Sequence, residues 1–387
     1  MEFESAKETA VRLGVNIRTV QKWAKENKFN GAKKLGREWL IPQNATPDNN
    51  SCDEKTTVHQ LLPVLSNDFV PGYCNDMIAG LADETDKAIA TAELYYYKGK
   101  TQQAIEIAEL YLNHADYNTA LSASFIYAFA NLSSGKLNLT ELGFENIKRF
   151  VMKALSKDDP DFRASAVFIG TATLVLLHQD TDELPPLQTV MNDLPAGLRV
   201  FASYIMAHKV YLEKDYSRAV GIAEGVLTFK GAPYPVPSLY LKLMRCVCLM
   251  NLKDSQRAKS AFNDINRIAL EEEIFQPFAE HHGLLQGIIE SQIKKTHPEA
   301  YREIVAMVKN FSTGWSTVHN ELTKSSVTIS LTTTEFAIAM LFNRNWSVKE
   351  ISQHMDISPR MVKHHLSVIY EKLDVSNREE LGRFLLK

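Results

Sequence analysis

The sequence predicts a mainly α-helical protein with three parts. These are a small N-terminal domain of helices and a hairpin, a long region of stacked helix pairs, and a four-helix C-terminal module. Three observations lead to this prediction. The last 57 residues contain four helix starts in succession, small residues recur at a fixed interval through the middle, and the first 43 residues combine capped helices with a hairpin pattern.

The C-terminal module, residues 331–387, is defined by its helix starts. In a capping box, a hydroxyl and a carboxylate three residues later satisfy the free N–H groups that open a helix. A serine followed by proline marks a fourth start, because proline lacks the N–H that has no partner at the first helical position. The predicted starts are Thr332 with Glu335, Ser347 with Glu350, Ser358 with Pro359, and Ser376 with Glu379.

The third helix of this module has two different faces. At helical spacing, an apolar stripe is predicted to face the core, whereas polar and basic residues lie away from it. Such a helix can lie in the major groove of DNA. The module holds eight Lys/Arg and seven Asp/Glu, so its net charge alone does not predict DNA binding. The stripe is Val362, Leu366, Ile369 and Leu373, and the outer face is Arg360, Lys363, His364 and Ser367.

These residues resemble the C-terminal DNA-binding domain of the LuxR family of bacterial regulators. The shared pattern runs from Leu331-Thr332, through Lys349-Glu350-Ile351 and Val362-Lys363, to Arg378. The sequence departs from the family at Met361, where threonine is usual, and at Pro359 and His364. The resemblance implies that Lys363, His364 and Ser367 lie near bases, that Arg360 and His365 lie nearer the backbone, and that Arg378 also contacts DNA. It further implies a homodimer on double-stranded DNA.

The first 43 residues predict a second DNA-binding domain. Ser5 and Glu8 form a capping box that opens a helix ending at Leu13, Gly14 turns the chain, and Asn16 caps a helix over Ile17–Asn27. Residues 31–42 have the pattern of a β-hairpin. This segment resembles the winged helix-turn-helix of excisionase and MerR-type proteins, and its net charge of +4 suits a phosphate-facing surface. The resemblance implies DNA contact by Arg18, Thr19, Gln21 and Lys22 on the second helix and by Lys33, Lys34 and Arg37 on the wing.

An internal repeat occupies the middle of the chain. Ala207–Ala219 aligns with Cys246–Ala258, and Ala92–Ala104 has the same interval of twelve residues between small residues. Stacked helix pairs need small residues where paired helices approach closely. The repeats resemble tetratricopeptide-like repeats, and residues 269–283 resemble the final repeats of MalT-like regulators. Those regulators carry an ATPase, but this sequence contains no GxxxxGK[ST] phosphate loop.

The predicted domain boundaries follow from these patterns. Residues 1–43 are the winged helix-turn-helix, 44–58 a flexible linker, 59–310 the helical repeat domain, 311–330 a connector, and 331–387 the LuxR-type module. The two ends carry a net charge of +5, so the middle carries −8 and is not expected to bind nucleic acid. Trp315, in the connector, is expected to pack on the last repeat.

Other features predict a cytoplasmic protein without enzymatic activity. The sequence has no apolar run long enough to cross a membrane and no CxxC pair among Cys52, Cys74, Cys246 and Cys248. Adjacent histidines diverge by about 100° on a helix, so neither His-His pair predicts a metal site. No cofactor is expected. Asp158-Asp159 and Glu271–Glu273 are interpreted as solvated helix ends or faces, and Tyr95–Tyr97 as packing within a repeat or as part of a concave ligand surface.

The sequence therefore predicts a bacterial transcriptional regulator whose repeats sense a small-molecule or peptide effector, or a protein partner. Two alternatives remain open. One is a tetratricopeptide-type scaffold for protein interactions, and the other is an excisionase-like DNA-binding protein of a mobile element. A steep salt dependence of DNA affinity distinguishes a DNA-binding protein from a scaffold.

Overall fold

The computed structural model divides the chain into two compact units, residues 1–58 and 59–387. It describes residues 3–13, 17–25, 29, 31–36, 38–43, 45, 59–157, 160–229 and 234–386. Several predictions concern residues outside these ranges: the turn at Gly14, the cap at Asn16, nearly all of the linker, Cys52 and Asp158-Asp159.

The first unit combines two helices with a small antiparallel sheet. Helix α1 spans Ala6–Leu13 and α2 spans Ile17–Lys25. The strands are β1 (Phe3–Ser5), β2 (Lys33–Leu35) and β3 (Glu38–Pro42), in the order β1-β3-β2. Strands β2 and β3 form the hairpin, whereas β1, which sequence reasoning missed, pairs with the other edge of β3. With only three residues, β1 is too short to show a period-two pattern.

A small apolar core holds this unit together. Val20, Ala24 and Ile41 are fully buried, and the half-buried rings of Trp23 and Trp39 pack against the same core. Ser5 and Glu8 form the predicted capping box, because the Glu8 carboxylate accepts from Ser5 N–H and the Ser5 hydroxyl accepts from Glu8 N–H. Assignment of this unit to the excisionase or MerR class stays a prediction.

The second unit is helical. Its helices are α3 (Pro63–Ser66), α4 (Cys74–Gly80), α5 (Glu84–Tyr97), α6 (Thr101–Tyr111), α7 (Tyr117–Ser133), α8 (Leu137–Lys157), α9 (Pro160–Leu176), α10 (Ala196–Leu212), α11 (Tyr216–Phe229), α12 (Pro235–Asn251), α13 (Ser255–Glu272), α14 (Gln276–Leu285), α15 (Ile288–Gln292), α16 (Pro298–Thr323), α17 (Thr333–Asn343), α18 (Val348–Met355), α19 (Pro359–Leu373) and α20 (Arg378–Leu381). Short 3₁₀ helices cover Leu187–Asp193 and Gly382–Phe384. Among the described residues, no helix is long and apolar enough to cross a lipid bilayer.

Consecutive helices from α5 to α13 pack as neighbours. Some helices also contact the next but one along the chain: α5 contacts α7, α7 contacts α9, α10 contacts α12, and α12 contacts α14. The small residues of the internal alignment lie inside these contacts: Ala92, Ala104, Ala207, Ala219, Cys246 and Ala258 are all fully buried. A side chain larger than these at such a position would separate the paired helices.

Among the described residues, five turns between α5 and α13 share one backbone geometry. At each, a residue with positive φ follows the helix, and two N–H groups return to carbonyls three and five residues back, as in a Schellman cap. The turns at Gly99, Lys214 and Lys253 lie in the three aligned segments. The turns at Gly135 and His178 lie between the first aligned segment and the second. The residues with positive φ are Gly99, Gly135, His178, Lys214 and Lys253, at steps of 36, 43, 36 and 39 residues.

Helix α16 differs from the sequence-based expectation for residues 311–330. It continues through residue 310 to Thr323 and packs on α14 and α7, and only residues 324–332 connect it to the C-terminal module. At Gly314 the helix lies against the Leu132 carbonyl, where a Cβ would clash. Trp315 packs with Leu132 and Leu177 and donates a hydrogen bond to the Leu176 carbonyl (2.9 Å).

Two local predictions were wrong. The last capped helix begins one residue later than predicted: Asn377, not Ser376, accepts from Glu380 N–H, and Glu380 accepts from Ser376 N–H. Glu272 is not solvated but buried, because its carboxylate accepts from the N–H groups of Gly72 and Cys74 at the start of α4. A sequence pattern cannot predict a cap supplied by a helix 200 residues away.

Candidate nucleic-acid interface

Helices α17, α18 and α19 form the core of the C-terminal module. The predicted capping boxes open α17 at Thr332 and α18 at Ser347. Ser358 caps α19 by accepting from Met361 N–H (3.2 Å), with Pro359 at the first helical position. Helix α19 packs against both α17 and α18. Its Val362 and Ile369 are fully buried, so the helix is fixed by one face.

The opposite face of α19 is open. Arg360, Lys363, His364 and Ser367 are exposed, as the helical spacing predicted. His365 is half-buried, and burial lowers the pKa of its ring. The Ser367 hydroxyl donates to the Lys363 carbonyl (3.1 Å) and keeps its lone pairs available. This face offers cations and hydrogen-bonding groups on a rigid helix, which is the chemistry that reads base edges and phosphates.

Two cations of the module have structural contacts instead. The Lys372 ammonium lies 2.7 Å and 2.9 Å from the two Glu335 carboxylate oxygens. Burial alone would raise the pKa of Glu335, but the hydrogen bonds of Lys372 and Thr332 lower it. The Arg378 guanidinium stacks on the Phe342 ring at 4.1 Å and donates to the Asn345 side chain. Its predicted DNA contact therefore competes with a role in fixing the end of α17.

The first unit presents its candidate residues on α2 and the hairpin. Arg18, Gln21 and Lys22 are exposed, and Thr19 is half-buried. On β2, Lys33 and Lys34 are exposed and lie over the rings of Phe3 (5.7 Å) and Trp39 (6.0 Å). Arg37 lies outside the described residues. Helix and hairpin thus both carry basic side chains at the surface, and DNA contact by them stays a prediction.

The C-terminal module docks on the preceding helices through α17 and α18, which leaves α19 free of that contact. The docking combines an apolar core that is continuous between the two parts with polar contacts around it. Arg344 donates to the hydroxyls of Tyr216 (3.0 Å) and Tyr211 (3.2 Å), and Lys259 donates to the His354 carbonyl (3.0 Å). Lys295 forms an ion pair with Asp356 at the surface.

A cavity of about 730 Å³ lies beside this docking interface. Its wall comes from α5, α7, α10, α12 and α14, from α16, and from the C-terminal module itself through Thr332, Phe336 and Leu386. A volume in this range suits a small-molecule ligand. The sequence left two interpretations open for Tyr96 and Tyr97, packing within a repeat or part of a ligand surface. Both side chains belong to the cavity wall.

The structure adds one residue that sequence reasoning did not single out, Glu280. It lies within residues 269–283, the segment that resembles the final repeats of MalT-like regulators. Its carboxylate reaches the cavity and accepts hydrogen bonds from Tyr96 and from Tyr240 (2.8 Å). A lone glutamate in an apolar helix was the available signal, since an unpaired charge there needs partners.

A second cluster, distant in sequence from the module, has metal-ligand geometry. His59, Asp83 and Asp86 lie close enough to share an ion. The Oδ1 atom of each aspartate already accepts from the main chain: Asp83 caps α5 by accepting from Thr85 and Asp86 N–H, and Asp86 accepts from Gln60 N–H. The cluster is therefore explained by helix capping.

Comparison with known families identifies the C-terminal module. Residues 329–385 match the family model GerE, described as "Bacterial regulatory proteins, luxR family". The matched segment includes α17, α18, α19 and α20 with the exposed face of α19. This match supports a DNA-binding transcriptional regulator. No curated protein and no solved structure matches the chain.

Proposed function

We propose that the chain is a sequence-specific transcriptional regulator in which the helices between residues 59 and 330 sense an effector and pass the signal to the C-terminal DNA-binding module. The exposed face of α19 carries the DNA-binding part of this proposal. It presents Arg360, Lys363, His364 and Ser367 from a helix fixed by its buried stripe, in a segment that matches a family of bacterial regulators.

The sensing part rests on the cavity and on the repeated turns. Five turns with one geometry support stacked helix pairs of tetratricopeptide-like type, and such stacks form concave binding surfaces. Side chains of α5, α7, α10, α12 and α14 line the cavity, and the DNA-binding module contributes to its wall. A ligand that fits one arrangement of the module better than another shifts the population towards it, and DNA affinity changes with that population.

The first unit is proposed as a second DNA contact of winged helix-turn-helix type, and the protein as a cytoplasmic homodimer on its operator. The basic residues exposed on α2 and the hairpin support the second contact. Paired half-sites are the usual targets of helix-turn-helix dimers.

The test is selection of bound sequences from random double-stranded DNA by the full chain, followed by footprinting and titration against salt. We expect an enriched motif, and a linear fall of log affinity with log salt that counts the phosphates contacted. Loss of enrichment together with a flat salt response would contradict the regulator and favour a protein-interaction scaffold. Strong bending of a single long site, without paired half-sites, would favour the excisionase-like alternative.

A further inference from the structure

The cavity beside the DNA-binding module has a wall rich in aromatic rings and in hydrogen-bond acceptors. Tyr96, Tyr97, Phe201, Tyr204, Tyr240 and Trp315 contribute rings to it. The face of an aromatic ring is electrically negative and attracts a cation. The hydroxyls of Tyr96, Tyr204 and Tyr240 form hydrogen bonds within the protein.

Two acidic side chains belong to this wall. The Glu93 carboxylate accepts from the N–H groups of Val64 and Leu65, whereas the Glu280 carboxylate is held by side chains. Tyr96 donates to one of its oxygens and Tyr240 to the other (2.8 Å), so each oxygen keeps lone-pair capacity for another donor. Burial raises the pKa of Glu280 to about 7, against the lowering effect of the hydrogen bonds from Tyr96, Tyr240 and Gln276. Of the ion pairs among the described residues, none includes Glu280, and Arg302 in the outer wall pairs with Glu299 instead (3.4 Å).

A second acceptor follows from the chain His281–Tyr204–His208. The Nδ1 of His281 lies 2.8 Å from the Pro277 carbonyl oxygen, which only accepts, so Nδ1 carries the proton and Nε2 accepts from the Tyr204 hydroxyl (3.0 Å). The Tyr204 oxygen then accepts from Nδ1 of His208 (3.3 Å). His208 Nε2 remains as a buried acceptor without a partner among the described residues.

The imidazoles do not neutralise Glu280. Burial lowers the pKa of His281 to about 4 and that of His178 to about 3, and it also lowers the pKa of His208. All three therefore stay uncharged near neutral pH. A carboxylate without a cationic partner and an imidazole nitrogen without a donor, both among aromatic rings, fit a ligand that brings a positive charge and several N–H donors.

We propose that this cavity binds a small organic amine in its protonated form. The ammonium donates to Glu280 and lies against the rings of Tyr96 and Tyr240, and the apolar remainder of the ligand packs on Phe201 and Trp315. The regulatory step, which rests on the proposed function, follows from the wall itself. Phe336 of α17 and Leu386 form part of the wall, so a ligand in the cavity contacts the DNA-binding module and changes how it docks.

The experiment uses the full chain and three probes of nearly equal shape: phenethylamine, phenethyl alcohol and the anion hydrocinnamate, with tryptamine as a larger amine. Binding is measured by calorimetry and by thermal melting. We expect an amine to bind at least about tenfold more tightly than the alcohol and the anion, because only the amine brings a positive charge to Glu280. Glu280→Gln should abolish this preference and keep the fold, whereas Glu303→Gln, at an exposed position on α16, should change nothing.

Equal binding of amine and alcohol, preference for the anion, an unaffected Glu280→Gln variant, or no binding by either amine would each overturn the inference. The proposed function fails separately. If the protein selects DNA but binds no amine, the regulator stands and the amine site falls. If it binds the amine but selects no DNA, the reverse holds. Where both bind, the amine must shift DNA affinity, and DNA must shift amine affinity by the same factor.

Discussion

The Nε2 of His354, on α18 of the DNA-binding module, donates a hydrogen bond to the main-chain carbonyl oxygen of Gln286 at 3.0 Å. The ring is buried, and its Nδ1 has no partner among the described residues. This contact joins the module to the end of α14 and requires a neutral imidazole, because a second ring proton would find no acceptor. Burial first, and then the charge of Lys259, lower the pKa of His354 to about 4.

The first prediction is that this contact makes stability sensitive to acid. His354 has a lower pKa in the folded protein than its usual 6.5, so its contribution is complete above pH 6.5 and is lost as pH falls towards 4. At pH 5 the loss is roughly 2 kcal/mol. The measurement is urea unfolding of the full chain at pH 7 and pH 5.

The matched variant is His354→Ala. It should be less stable than the parent at pH 7 by about 1–3 kcal/mol, since it removes a buried hydrogen bond and leaves a cavity. It should lose less on acidification, because that histidine no longer takes up a proton on unfolding. His297→Ala, at an exposed position, is the control. Equal acid losses in parent and His354→Ala would rule out this role.

The second prediction concerns Gly283, where α14 approaches the module. A Cβ added there would lie 2.7 Å from the ring of Phe336 and 3.0 Å from Leu386. Gly283→Ala should therefore destabilise the protein by about 1–3 kcal/mol despite the better helix propensity of alanine. Gly221→Ala, where an added Cβ meets no atom within 4 Å, should be neutral or slightly stabilising.

A second substitution that removes the clash shows whether the lost stability comes from the contact between α14 and the module or from α14 alone. Adding Phe336→Leu to Gly283→Ala should recover part of the lost stability, because the smaller side chain frees the space that the new methyl group needs. If Gly283→Ala costs nothing in unfolding experiments, the approach of α14 to α17 is looser than the structure indicates.

How far the sequence predicted this site depends on the range of each contact. The cap pairs Thr332–Glu335 and Ser347–Glu350 span three residues, so local patterns were sufficient. The hydrogen bond between Tyr96 and Glu280 spans 184 residues, and no local pattern reports it. Helical spacing predicted the exposed face of α19 and the buried small residues, but it gave no information on which helices enclose the cavity.

The third prediction concerns Lys363. Its side chain is exposed on α19 and lies off the buried stripe, so Lys363→Ala should keep the fold and weaken binding to the selected operator by about 1–3 kcal/mol. Gel-shift titration against operator and scrambled DNA measures the effect, with circular dichroism as the check on folding. Lys153→Ala, at an exposed position on α8, is the control. Operator affinity that is unchanged in the Lys363 variant would remove Lys363 from the interface.

The last prediction concerns the first unit, residues 1–58. It has its own core around Val20, Ala24 and Ile41, and residues 59–387 form a separate compact unit. The chain without residues 1–58 should therefore fold and keep its C-terminal DNA contact. If the basic face of α2 and the hairpin contacts phosphates, the shortened chain should give a smaller footprint and a shallower slope of log affinity against log salt.

Lys33→Ala with Lys34→Ala in the full chain should reduce the slope by up to about two, since each phosphate contact contributes about one. A footprint and a slope identical to those of the full chain would mean that this unit does not hold DNA, and that its exposed lysines serve another purpose.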